Sequence, residues 1–145
     1  MRIIRGKNKG KKIYLPVDKN TRPLRDLVKE SIFNLIEHSN KFRVSILNSF
    51  VLDLFSGTGS FGLECYSRGA KFITFVENYI PALDVLKKNI SNLNALSYSE
   101  IIEKNCFELM GENNKFSKTF DIIFLDPPYK YKSINFLIDH IINKK

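Results

Sequence analysis

Three short runs, FVLDLF (50–55), KFITFVE (71–77) and FDIIFLD (120–126), are apolar at consecutive positions rather than at alternate ones. A strand with one solvated face alternates. A strand apolar on both faces has to be covered above and below, and a parallel sheet between two layers of helix does that. The segments between these runs carry the helical period. In IPALDVLKKNISNL, Ala82, Leu83, Leu86, Ile90 and Leu93 fall on one stripe. In PLRDLVKESIFNLIEHS, Leu24, Leu27, Val28, Leu35 and Ile36 fall near one face, with Pro23 in the first turn and Thr21 placed to cap. FGLECYSR reads as a short helix stopped by Gly69, YSEIIEK as a weaker strand, CFELM as the start of a brief helix and INFLIDHIINK as the last helix. The expected class is α/β, with four parallel strands and helices on both faces of the sheet.

At 145 residues the chain suits one domain with a real core. It has no apolar run of about 18 residues that would cross a bilayer, and its start lacks the apolar stretch of a secretory signal, so a cytoplasmic protein is expected. Cys65 and Cys106 show neither CxxC spacing nor a neighbouring histidine pair, which indicates no metal site and no disulfide framework. Both are expected to fill core space. His38 and His140 are expected on helix surfaces.

The net charge of +8 is uneven. Residues 1–30 hold ten Lys/Arg against three Asp/Glu, whereas residues 31–145 hold thirteen against twelve. Within the basic part, RIIR and KKIYL flank GKNKG, whose Gly6, Asn8 and Gly10 tolerate a tight reversal. The reading is a hairpin presenting lysines, in an arm of residues 1–22 ahead of a domain of residues 23–145. A basic arm on a nearly neutral domain suits a polyanion, because each phosphate neutralised by Lys or Arg releases counterions. A solubilising lysine-rich surface is the plainer alternative.

The run VLDLFSGTGSFG puts Gly57, Gly59 and Gly62 between a strand and a helix, with Glu77 twenty residues past Gly57. That satisfies the dinucleotide fingerprint, so a nicotinamide-dependent oxidoreductase is one reading. Asp53 argues against it, since an acid four residues before the glycines would meet the pyrophosphate with negative charge. S-adenosylmethionine has no phosphate and carries a sulfonium and an α-ammonium, and Glu77 is placed for its ribose hydroxyls. Taken singly, the glycines can be a turn, Asp53 a cap, and Glu77 part of the next helix start.

At the end of the fourth run stands DPPY. Pro127 and Pro128 stop the strand and stiffen the turn, fixing the carboxylate of Asp126 and the ring of Tyr129. An aromatic platform beside a rigid acceptor suits a planar base with an exocyclic amine, whose delocalised lone pair needs a hydrogen-bond acceptor before it can attack a methyl group. A plain turn is again the simpler reading.

Together these residues resemble the bacterial RsmD-type enzymes, S-adenosylmethionine-dependent methyltransferases of the class I Rossmann-like type that act on the N2 of a guanine in small-subunit (16S) ribosomal RNA. The resemblance runs from MRIIRGKNKGKKI and TRPLRDLVKESIFNLI through VLDLFSGTGSFGLECYSRGA and FVE to DPPY. The glycine motif and DPPY are shared with many methyltransferases, and the basic hairpin followed by the RP..D.V.E..FN helix points to this branch. The resemblance implies S-adenosylmethionine as cofactor, with Asp53, Phe55, Ser56, Gly57, Thr58 and Gly59 at its methionine part, Glu77 at the ribose, and Asn105 and Cys106 completing the set. It implies Asp126, Pro127, Pro128 and Tyr129 at the target base, Arg22 and Arg25 near the substrate entrance, and Arg5, Lys7, Lys9 and Lys11 on phosphates. The implied partner is ribosomal RNA in an assembling small subunit, with no metal and no membrane. The family's sheet has seven strands and this sequence supplies four, so a C-terminally truncated fold is expected. A DNA adenine or cytosine N-methyltransferase and a non-catalytic RNA-binding assembly factor remain alternatives.

Overall fold

The computed structural model describes residues 1–22, 24–111, 116 and 118–143. Four strands, β1 (Phe50–Leu54), β2 (Phe72–Val76), β3 (Ser99–Ile102) and β4 (Ile122–Leu125), form one sheet in the order β3-β2-β1-β4. Every pairing is parallel. Burial follows position in the sheet: the central strands β1 and β2 are buried from their second residue on, whereas β3 and β4 are only half covered. The doubly apolar reading of the sequence therefore applies in full to the middle pair.

Side-chain alternation on the strands divides the core in two. Val51, Ile73, Phe75 and Ile122 pack with α1 (Asp26–His38), α2 (Ser60–Ser67) and α3 (Ile80–Asn92) through Phe33, Phe61, Leu63, Leu86 and Ile90. Leu52, Leu54 and Val76 face the opposite layer, where α4 (Cys106–Gly111) and α5 (Ile134–Asn143) contribute Leu109, Met110 and Leu137. Helix α2 lies close on the sheet because Gly62 has no side chain: a Cβ there would stand 2.4 Å from Phe75 Cε1.

The expected face of α3 is the buried one, with Ala82, Leu83, Leu86 and Ile90 inside and Leu93 just beyond. The expected face of α1 needs correction. Its fully buried residues are Lys29 and Phe33, with Leu24, Ile32 and Ile36 partly covered, while Leu27, Val28 and Leu35 are exposed. The helix is rotated from its most apolar stripe because Lys29 has partners inside. Its Nζ donates to the Arg2 carbonyl at 2.8 Å and to Ser60 Oγ at 3.2 Å, and lies 3.5 Å from the Glu64 carboxylate. The helix starts at Asp26, with Arg25 at the N-cap and no side-chain cap, so Thr21 is not its cap; Pro23, and Lys144 of the last helix, lie outside the described residues.

The N-terminal arm is a hairpin reduced to one antiparallel bridge, Arg2 with Lys12. It is fastened down rather than free. Ile3 and Ile13 are fully buried in the upper core, and the buried Glu64 carboxylate accepts the amides of Ile4 and Arg5 at 2.9 and 3.0 Å. Gly6, at φ +85°, passes so close to α2 that a Cβ would overlap the Ser67 carbonyl. His38 is exposed as expected, whereas His140 is only half exposed and its Nε2 is buried.

Candidate active site

In a parallel sheet the strand carboxyl ends form a rim on which loops converge. Register puts three acids there: Asp53 lies in β1 opposite Phe75 of β2 and Phe124 of β4, Glu77 follows β2 directly, and Asp126 follows β4 directly. Between them the glycine loop turns under strain. Phe55 adopts φ +56°, in the left-handed region that bulky side chains avoid. Gly57 and Gly59 continue the turn at φ +54° and +79°.

A cleft of about 50 Å³ opens at this point, lined by Asp53, Phe55, Ser56, Gly57, Thr58, Arg22 and Asp126, all named from the sequence, and also by Leu24, Ser60, Phe61 and Phe124. Phe61 and Phe124 floor it as a stacked pair with centroids 3.8 Å apart. Asp53 is buried, and its Oδ2 accepts the Gly62 N–H at 3.0 Å, so it does cap the helix behind it. Burial pushes its carboxyl up to about 7; the Gly62 N–H opposes the rise, and the negative charges of Asp126 and Glu77 add to it. Desolvation also raises the carboxyl of Asp126. The rim thus holds a surplus of negative charge with no cation among its lining groups except Arg22. It is suited to a positively charged ligand.

Glu77 is occupied by backbone. Its Oε2 accepts the Gly57 N–H at 2.7 Å, and its Oε1 accepts the amides of Asn78 and Tyr79 at 2.9 and 3.0 Å. On the far side, Pro127 and Pro128 carry the chain out to Tyr129, which is 89% exposed, with the Arg22 guanidinium carbon 4.9 Å from its ring centroid. Asn105 Oδ1 accepts the Phe107 N–H at 2.8 Å at the start of α4. Cys106 is buried in the lower core, which pushes its thiol up to about 12 and leaves it inert as a nucleophile. Cys65 is likewise buried, with its thiol raised well above the ordinary value by burial.

The basic residues fall into two groups. Arg22 is on the cleft and Arg25 is at the start of α1. Arg5, Lys7, Lys9 and Lys11 are exposed on the docked arm and do not line the cleft. Arg5 pairs with Glu37, and Lys7 Nζ stands 3.6 Å from the Tyr66 ring centroid. Sequence reasoning missed Tyr131, whose ring lies 5.7 and 5.1 Å from Phe55 and Phe107, and the Asp18–Tyr79 contact, in which the Tyr79 hydroxyl donates to Asp18 Oδ2 at 2.8 Å. DKNTR carries an Asx-turn signal, but its partner is 61 residues away.

A β3-β2-β1-β4 parallel sheet, a glycine turn after its first strand and acids at the ends of three adjacent strands define the Rossmann-like fold of class I methyltransferases. The comparison with known proteins is specific. Residues 1–145 match the family described as Conserved hypothetical protein 95, and the chain belongs to that family; among its relatives are proteins named ribosomal RNA small subunit methyltransferase D. It is 38% identical to the protein of that name from Buchnera aphidicola subsp. Acyrthosiphon pisum, over 99% of this chain and 70% of the relative. Against the one from Escherichia coli K12 the figures are 30%, 97% and 68%. Among solved structures, "Putative methyltransferase yhhF from Escherichia coli" superposes with TM-score 0.79 at 28% identity, covering 99% of this chain and 72% of that one. The "putative methylase HI0767 from Haemophilus influenzae" gives 0.74 at 32%, covering 99% and 73%. The chain therefore spans about 70% of the length of these relatives.

Proposed function

We propose that this chain is an S-adenosylmethionine-dependent methyltransferase acting on ribosomal RNA of the small subunit, at the N2 of a guanine. The names of its relatives support the RNA class. The observation that carries the chemistry is the row of carboxyl groups, Glu77, Asp53 and Asp126, on the rim of three adjacent strands. Burial, with the charges of Asp126 and Glu77 adding to it, holds Asp53 near pKa 7, and a sulfonium with its α-ammonium fits such a rim where a pyrophosphate does not. When bound, the cofactor supplies an electrophilic methyl group. Asp53 and the glycine loop hold its amino-acid part, Glu77 takes the ribose hydroxyls in exchange for its backbone partners, and Asn105 with Cys106 borders the adenine. Asp126 accepts an N–H of the guanine amine, which turns the nitrogen lone pair toward the methyl group. Tyr129 provides the stacking face and the two prolines keep both groups in place. Arg5, Lys7, Lys9, Lys11 and Arg25 contact phosphates. A base stacked in a helix cannot reach such a rim, so the target guanine is unstacked, in a loop or bulge of the assembling subunit.

The division of labour is tested by two variants. Asp126→Ala is expected to lower methyl transfer to small-subunit particles at least a hundredfold while cofactor affinity, read by calorimetry, changes less than about threefold. Asp53→Ala is expected to weaken cofactor binding itself. Equal loss of cofactor binding in both variants refutes the assignment, and transfer to duplex DNA in preference to ribosomal RNA would move the substrate to DNA.

A further inference from the structure

The segment 18–22 is the last part of the arm ahead of α1, and it passes the glycine loop with both of its ends fastened. At one end Asp18 Oδ2 accepts the Tyr79 hydroxyl at 2.8 Å, and the Asn20 side-chain amide donates to the same hydroxyl at 3.1 Å. Tyr79 lies two residues past Glu77, on the β2 side of the rim. At the other end the Arg22 guanidinium stands over Tyr129, beyond β4. Between them Thr21 Cγ2 lies 3.6 Å from the point where a Cβ on Gly57 would stand. The segment thus runs from Tyr79, past the second strand, to Tyr129, past the fourth, with Arg22 on the lining of the cleft.

Two observations make this a closed state. The cleft beneath has about 50 Å³, whereas pockets that hold small-molecule ligands run from about 300 Å³ upward. The Thr21 hydroxyl is buried and has no partner among the described residues, a cost the fold would not carry without something to offset it. Glu77 meanwhile has both its oxygens taken by backbone amides, Oε2 by Gly57 of the glycine loop and Oε1 by Asn78 and Tyr79.

We infer that Asp18–Arg22 is a strap over the donor cleft, held shut by Asp18–Tyr79 and Arg22–Tyr129, which must lift before donor or nucleobase can enter. Asp18, Tyr79 and Arg22 are then positioning residues, and donor entry and base entry share one motion, because lifting the strap uncovers the Tyr129 ring as well. The inference rests on the methyltransferase reading for the identity of the donor.

The chain has no tryptophan, so Lys19→Trp gives a single reporter on the strap. Stopped-flow fluorescence with S-adenosylmethionine is expected to show an association rate that levels off as donor concentration rises, set by strap opening. In the Tyr79→Phe background the plateau rises about tenfold, as the loss of a hydrogen bond to a carboxylate implies. The melting temperature falls by only a few degrees, as the loss of one bond at a partly exposed side chain implies. Without donor, the Asn20 and Thr21 amides, which donate to Asp18 Oδ1 at 2.9 and 3.4 Å, exchange about tenfold faster in Tyr79→Phe. Unchanged exchange overturns the strap. Donor association that is linear in concentration and equal in both proteins overturns its gating role alone, and failure of every variant to bind donor overturns the methyltransferase reading along with it.

Discussion

Asp53 carries its proton up to about pH 7 in the folded chain, against an ordinary value of 3.8. Between those values the folded state binds more protons than the unfolded one, so stability falls as pH rises through that window and stays at its lower level above it. Asp53→Asn keeps an acceptor for the Gly62 amide and removes the charge. It is expected to stabilise the chain by about 1–3 kcal/mol at pH 8 and by little at pH 4, as read from urea denaturation at the two pH values. The same proton opposes a cationic ligand, so donor affinity of the native chain should rise between pH 6 and pH 8 and lose that dependence in Asp53→Asn; calorimetry at the two pH values checks it. Stability given up where a ligand's charge would restore it is the usual relation between a site and its fold.

Glu64 governs how the elements of the upper layer fit. It is fully buried in α2 and binds four groups: the amides of Ile4 and Arg5 in the arm, Lys29 of α1, and Arg68 Nε at 2.9 Å. Burial lowers the Lys29 pKa, and the Glu64 carboxylate opposes that shift. Replacing Glu64 by Ala would leave the Lys29 ammonium buried with Asp26, at 4.0 Å, as its one counter-charge among the described residues, and would free two arm amides. A loss of about 3–5 kcal/mol is expected by denaturant unfolding. Adding Lys29→Met should recover part of it, since an apolar side chain of similar length needs no partner. The network also explains the rotation of α1. The stripe Leu27–Val28–Leu35 is exposed, and burying it instead would have left Lys29 outside and Glu64 with Arg68 but not Lys29 as a cation.

At the scale of the molecule, the basic arm and the cleft sit on one body, since the arm shares the upper core through Ile3 and Ile13. Lys9→Gln with Lys11→Gln is expected to weaken RNA binding and to flatten the dependence of log K on log salt by about 1–2, with cofactor affinity unchanged. Filter binding between 50 and 200 mM salt measures it, and an unaltered slope would remove these lysines from the interface. The +8 net charge makes the polyanion reading possible, and the docking of the arm on α2 decides which way the lysines face.

The sequence by itself determined the alternation of strand and helix, the parallel sheet, the glycine turn and the acids at the strand ends. Each of these is written in neighbouring residues: consecutive apolar positions, a helical stripe, or a glycine or proline at a fixed offset. Tertiary structure decided what depends on residues far apart in the chain. The choice of the Lys29 face of α1 depends on Glu64, 35 positions on, and the clamp on segment 18–22 depends on Tyr79 and Tyr129. A buried charge finds its partner only when the chain has folded, and no periodicity in the sequence records that pairing.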